Sequence, residues 1–189
     1  MSKILISGYY GFANAGDEAM LTAIIESLRQ VEKNVELTVL SGNPEDTAAK
    51  HQVCSVYRFN PLGIIRTMKD SELIISGGGS LLQDVTSKRS LLYYLSIIGL
   101  GKFFGKKVML FAQGIGPIRA KWARKLTSLV CNEADLITVR DSESAAELIE
   151  MGVKPEKITV TADSVLSLNP VTKECGQYLL QEAGVDLTK

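Results

Sequence analysis

Short runs of β-branched and aliphatic residues recur along this chain at 3–7, 35–40, 72–76, 107–112, 136–139 and 157–161. Each gives way to a glycine or polar break and then to helical periodicity. Most of the runs are apolar on both faces, as parallel strands covered by helices must be. This alternation predicts an α/β fold: an open, doubly wound, mostly parallel sheet of the Rossmann-like kind. Right-handed crossovers then bring the strand C-termini to one edge, where function is expected to gather. The helices follow the 3.6 period. In 17–31 the stripe is Met20, Ile24, Leu28 and Val31; in 118–133 it is Ile118, Trp122, Leu126, Leu129 and Val130; a third helix at 142–151 closes at Gly152 and Pro155. The lipophilic stretch 91–100, between Arg89 and Lys102, is half of what spans a bilayer and reads as a buried helix.

Beyond Leu168 the pattern changes. Asn169-Pro170 breaks the chain, and 173–183 reads as one more helix with no strand after it. We therefore expect a Rossmann-like domain over 1–168, followed at 169–189 by a linker and helix leading to a second domain absent from this chain. The 189 residues carry 21 basic and 21 acidic side chains. That balance argues against the large basic field of a nucleic-acid binder. It hides an asymmetry: residues 85–132 contain no carboxylate but hold Lys88, Arg89, Lys102, Lys106, Lys107, Arg119, Lys121, Arg124 and Lys125. Such a block suits one anionic ligand or a membrane surface. Cys54, Cys131 and Cys175 are odd in number and widely spaced, which predicts no disulfide framework, no zinc knuckle and a cytoplasmic setting. The first apolar run is too short for a secretory segment, so no export signal is expected. His51 is the only histidine; its polar neighbours predict a solvated surface position, and no His-rich metal site is expected.

Four strand-to-helix loops hold the residues with chemistry. The first, 8–18, is neither G-x-G-x-x-G nor a P-loop. Asn14 reads as an N-cap answered by Asp17, and Asp17 with Glu18 already occupies the positive end of the helix dipole. As functional groups, these carboxylates suit sugar hydroxyls better than phosphate. The second loop, Gly77-Gly78-Gly79-Ser80, offers a backbone that a ligand can approach, with amides for an anion, and leads into a polar run of Gln83, Asp84, Thr86, Ser87 and Arg89. The third is Gln113-Gly114-Ile115-Gly116-Pro117, whose glycines permit close packing or close ligand approach. In the fourth, Arg140 ends a buried strand where a guanidinium suits bidentate carboxylate or phosphate recognition, unless it pairs with Asp141 or Glu143.

With these four blocks in order, from Gly8-Tyr9-Tyr10-Gly11 through Asp17-Glu18-Ala19, Gly77 to Asp84 with Arg89-Ser90, Gln113 to Pro117, and Val139-Arg140-Asp141, the sequence resembles the polysaccharide pyruvyl transferase family, in its bacterial cell-wall branch. Ala13 stands where that pattern has glycine. The resemblance implies one half of a GT-B-like enzyme of two Rossmann-type domains with the site in the cleft. It implies phosphoenolpyruvate as donor substrate, no other cofactor, and transfer of the enolpyruvyl group as a pyruvate ketal. The implied acceptor is N-acetylmannosamine of a lipid-linked secondary cell-wall polymer precursor, where the ketal anchors surface-layer proteins. Arg140 then matches the arginine gripping the donor, the loops 8–18 and 77–84 line the acceptor side, and Asn14, Gly77, Gly78, Gly79, Gln83, Arg89, Gln113, Gly114 and Gly116 are expected to bind substrate with it. The base falls to Asp17 or Glu18, with Asp84 in reserve, and this chemistry demands no metal. Members are about twice this length and draw further donor contacts, a histidine among them, from the second domain, so this chain is expected to fold without turning over. A lipid-linked acceptor also implies contact with the inner membrane surface. Two other readings remain open: a glycosyltransferase using a nucleotide sugar, and a non-catalytic domain binding anionic lipid.

Overall fold

The computed structural model describes residues 1–85, 87–170 and 172–185; Thr86 of the polar run, Val171 and the terminal 186–189 lie outside the described residues. The chain runs β1 (Lys3–Tyr10), α1 (Ala15–Val31), β2 (Glu36–Ser41), α2 (Pro44–His51), β3 (Cys54–Tyr57), α3 (Pro61–Asp70), β4 (Leu73–Ser76) and β5 (Gly79–Leu82). It continues with α4 (Lys88–Phe103), β6 (Lys107–Ile115), α5 (Lys121–Glu133), β7 (Leu136–Val139), α6 (Ser142–Glu150), β8 (Ile158–Val160) and α7 (Lys173–Glu182). Seven strands lie in the order β3-β2-β1-β4-β6-β7-β8, with β5 paired to β6 off this path. Every described pairing is parallel.

Strand alternation divides the core. Leu5, Ile74, Val108, Leu110 and Ile137 point to one face and meet Leu91, Leu95 and Ile98 of α4, Ala123 and Cys131 of α5, and Leu148 of α6. Ile4, Ile6, Leu37, Val39 and Ile75 point to the other and meet Leu21, Ile24 and Ile25 of α1. The doubly wound parallel sheet expected from the apolar runs is thus the observed architecture, and α4 is buried along one face, through Leu91, Tyr94, Leu95, Ile97 and Ile98, and exposed along the other. No described helix is long and apolar enough to cross a membrane.

The structure departs from the sequence expectation in four places. First, the strand β3 and the helices α2 and α3 carry no run among the six recognised. β3 has no fully buried residue and α2 buries only Thr47, so neither leaves a hydrophobic signature. Second, the stretch after β4 does not stay a loop, because Gly79 and Leu82 pair with Gln113 and Ile115 as β5. Third, α5 turns its expected stripe partly outward. Ala123, Thr127 and Cys131 face the core, while Trp122 is 48% and Leu129 60% exposed. Fourth, Val31 at the end of α1 lies in solvent, and the core positions are Met20, Leu21, Ile24 and Ile25.

Candidate functional site

From β1 the chain winds outward through β2 to β3, then crosses back to β4 and on to β8. The C-terminal ends of β1 and β4 therefore flank the point where the winding reverses, which is where an open α/β sheet leaves a crevice. The loop 8–18 and the triple glycine both start from that point. A cavity of about 360 Å³ opens there, lined by Tyr9, Asn14, Asp17, Ser80, Leu81, Gln83, Ser90 and Tyr94. Asn14 caps α1, its Oδ1 accepting from the amides of Gly16 and Asp17 at 3.0 and 3.3 Å. The Asp17 side chain points into the cavity beside Gly79, and burial, then the charge of Glu18, raises its carboxyl above the usual aspartate range. Among the described residues Asp17 makes no ion pair. Gln83 lines the same cavity with its amide anchored to the Ser80 carbonyl at 2.9 Å.

Ser80 joins this cavity to Arg140. A guanidinium nitrogen donates to Ser80 Oγ at 3.3 Å, and two others meet Asp141 and Asp163 at 3.3 and 3.5 Å. The fork can lie there because β6 has Gly114 beneath it: a Cβ at Gly114 would stand 2.6 Å from Arg140 Cζ. Gly116 is likewise closed by Gln83, whose Cβ stands 2.7 Å from where a side chain would begin. The expected alternative of an Arg140–Asp141 pair is therefore present alongside the Ser80 contact. The fork remains about a third exposed and faces a second hollow lined by Gly116, Pro117 and Ser144. Asp163, which the sequence reading did not single out, caps the turn at Ser164–Ser167 and holds the outer side of Arg140.

Other expected residues are placed differently. Glu18 does not share Asp17's cavity: its Oε1 accepts from the Gly11 amide at 2.8 Å and its Oε2 meets His51 Nε2 at 3.2 Å. His51 is correspondingly not solvated, its side chain being 9% exposed between α1 and α2. Asp84 is turned away to the start of α5, where its oxygens accept from the amides of Arg119 and Ala120 at 3.0 Å. Those amide bonds lower its carboxyl below the usual range, and because Ala120 supplies no side-chain cap, Asp84 performs that duty. Arg89 is exposed, its amide donates to Ser87 Oγ at 3.2 Å, and it is not among the residues that line the cavity.

The glycine loop is not an open anion cradle either. Gly77, Gly78 and Gly79 are all buried. The Gly77 amide donates to the Ser7 carbonyl at 2.7 Å, and a Cβ there would meet Tyr10 Oη at 2.1 Å. Gly78 lies against Met20 and Ser164, and Gly79 takes a positive φ of 95°. Gln113, wholly buried, donates to Ser76 Oγ and to the Gly77 carbonyl at 3.0 and 2.6 Å, so it braces the loop from below.

Sequence reasoning also missed Arg58, which is 4% exposed. Its guanidinium carbon stands 4.3 Å from the Tyr93 ring centroid and 5.4 Å from those of Tyr94 and Phe12, and one nitrogen reaches Tyr94 Oη at 3.4 Å. A cation stripped of water is held here by ring faces and not by a carboxylate. It lies directly behind Tyr94, the aromatic wall of the Asp17 cavity. The only signal was the density of aromatic residues at Tyr9-Tyr10, Tyr57-Arg58-Phe59 and Tyr93-Tyr94.

A model of the polysaccharide pyruvyl transferase family matches residues 14–175, whereas no curated protein matches the sequence. Among solved structures, HepE of Anabaena in complex with UDP and glucose is similar, with a TM-score of 0.62 and 12% identity over 97% of this chain and 50% of its own. A UDP-GlcNAc 2-epimerase from Neisseria meningitidis bound to UDP-GlcNAc gives 0.55 and 13%, over 96% of this chain and 50% of its own. A glycosyltransferase from Rickettsia africae gives 0.56 and 11%, over 99% and 50%. At such identities the likeness speaks for the fold, that of GT-B enzymes, and the chain spans about half the length of these structures. The family match is different in kind, since it runs through the cavity, the Arg140 fork and most of the sheet: the chain belongs to the polysaccharide pyruvyl transferase family.

Proposed function

We propose that this chain carries the acceptor pocket and one donor contact of a pyruvyltransferase that moves the enolpyruvyl group of phosphoenolpyruvate onto a sugar as a pyruvate ketal. Family membership supports the reaction class. The observation that carries the assignment of roles is the placement of Asp17, half-buried and without an ion pair, one residue across Ser80 from the Arg140 fork. A carboxylate that lines the cavity can accept a proton from a hydroxyl bound there, burial raises its basicity, and a cavity of hydroxyl, amide and aromatic side chains suits a sugar.

The donor's methylene carbon gains a proton and becomes methyl; one sugar hydroxyl adds to the adjacent carbon and loses its proton. The carbon–oxygen bond to phosphate then breaks, and a second hydroxyl closes the ketal, its proton leaving with the released inorganic phosphate. Asp17 takes a hydroxyl proton in this scheme, in preference to Glu18, whose oxygens are engaged by Gly11 and His51. Arg140 holds the donor carboxylate, sharing its fork with Asp141 and Asp163. The acceptor we propose is a lipid-linked saccharide, N-acetylmannosamine of a secondary cell-wall polymer precursor, modified on the cytoplasmic side.

The rival donor is a nucleotide sugar, because structures of this fold are solved with UDP or UDP-GlcNAc. Calorimetric titration of the complete enzyme separates the two. Phosphoenolpyruvate is expected to bind, and Arg140→Ala is expected to weaken it by about 1.5–3 kcal/mol, the loss of a charge-assisted hydrogen bond. Binding of UDP-glucose with none of phosphoenolpyruvate would overturn the proposal.

A further inference from the structure

The basic block at 85–132 is not uniformly available. Lys102 and Lys107 are taken by Asp135, Arg124 by Glu147 and Glu150, and Lys106 by the Lys69 carbonyl. The five that remain, Lys88, Arg89, Arg119, Lys121 and Lys125, are exposed, and among the described residues none makes an ion pair. They gather where α4 and α5 begin, side by side on one face of the sheet. Val85, Lys88 and Arg119 line a shared hollow there, and its one carboxylate, Asp84, has its oxygens on backbone amides.

Apolar side chains lie among these charges. On α4, Leu92 sits one turn beyond Lys88 and is 41% exposed, with Leu100 and Phe103 further along the same face. On α5, Trp122, Lys125 and Leu129 follow the i, i+3, i+7 spacing of a single face, turned away from the core. Apart from Glu133, the last residue of α5, neither helix carries a carboxylate. An apolar face bearing tryptophan and leucine, rimmed by lysine and arginine, is the composition that partitions into the headgroup boundary of a bilayer. A solvated helix face would have no reason to exclude leucine and tryptophan so poorly and acidic residues so completely.

We infer that the exposed faces of α4 and α5 dock on an anionic membrane surface, with Trp122, Leu92 and Leu129 entering the headgroup layer while Lys88, Lys121 and Lys125 meet lipid phosphates. This patch borders the edge of the sheet at which the Asp17 cavity opens, so docking would hold that edge against the bilayer. The inference does not require pyruvyl transfer, and its test contains neither donor nor acceptor, so the two readings fail separately.

Trp122 is the only tryptophan of the chain and reports directly on the surface. Vesicles of phosphatidylcholine and phosphatidylglycerol in about a two-to-one ratio are expected to shift Trp122 emission to the blue and to carry the protein in flotation. Vesicles of phosphatidylcholine alone are expected to do neither. Salt at about 0.5 M, where screening acts within roughly 4 Å, should release the protein. Lys121→Gln and Lys125→Gln should each weaken partitioning roughly fivefold, the effect of one cation near an anionic surface. Leu129→Ser should reduce flotation while circular dichroism stays unchanged, and Lys154→Gln, an exposed lysine elsewhere, should alter nothing. An unshifted emission with the protein left in the soluble fraction overturns the inference. So does equal binding to neutral vesicles, or a loss in Lys154→Gln matching that in Lys121→Gln.

Discussion

Asp17 and Glu18 are adjacent in sequence and alike in chemistry, and no reading of the letters alone separates them. The helix separates them, because consecutive residues project about 100° apart, one into the cavity at the strand reversal and the other toward Gly11 and His51. Asp17→Asn is expected to lower turnover of the complete enzyme by about 10²–10⁴-fold with donor affinity kept. Its effect on stability should run the other way. A carboxyl whose folded pKa is raised favours folding below its unfolded value and loses that contribution as pH rises through the folded value. The asparagine variant should therefore melt higher than the parent at neutral pH and match it in acid, a difference that thermal melts across pH detect. Gly77 is a second case: three glycines suggest a ligand, but the first makes room for the Tyr10 hydroxyl. Gly77→Ala should cost about 1–3 kcal/mol. Tyr10→Phe, which deletes a buried hydroxyl that has no hydrogen-bond partner among the described residues, should recover part of that loss in denaturant titrations.

At the scale of elements, the buried parallel strands were readable because both faces are apolar, whereas β3 and α2 were not, because each buries too little to leave a pattern. The stripe on α5 was readable as a helix but not in its orientation. The period that places Trp122 and Leu129 together is satisfied equally by a core face and by an exposed one, and only packing against α4 decides. The polar run after the triple glycine was readable as polar, yet whether Asp84 serves catalysis or the fold depends on a partner 35 residues away. Its position at the start of α5, on two free amides, makes it a cap supplied from outside the helix. Asp84→Ala should accordingly lower the melting temperature by a few degrees while leaving the turnover of the complete enzyme, per folded molecule, intact. The loss should vanish in acid, since a carboxyl with a lowered pKa stabilises above its unfolded value and ceases to as pH falls through the folded one. A collapse of turnover with an unchanged melting curve would return Asp84 to the chemistry.

For the molecule as a whole, the order of strands turns separate glycine loops into one site. The loops after β1, β4, β6 and β7 are far apart in sequence and meet only because the winding reverses between β1 and β4. The neutral net charge is a sum over unlike surfaces: among the described residues, the five cations of 85–132 without an ion pair gather beside that edge, and Lys102 and Lys107 lie at the far end of α4, on Asp135. The same architecture predicts where the folded unit stops. The turn at Ser164–Ser167 packs on α1, places Ser164 against Gly78, and brings Asp163 to Arg140. In α7, by contrast, no described residue is buried, and Tyr178, Leu179 and Leu180 all face outward. A chain cut after Leu168 should therefore unfold with a stability within about 0.5 kcal/mol of the parent, as surface changes do. A chain cut after Thr161 loses the turn, its buried serine and one partner of Arg140, and should lose about 2 kcal/mol or more, on the order of 5 °C in melting temperature. Scanning calorimetry of the two truncations distinguishes the cases. If removing α7 proves as damaging as removing the turn, then that helix packs on the sheet, and the unit that folds extends through it.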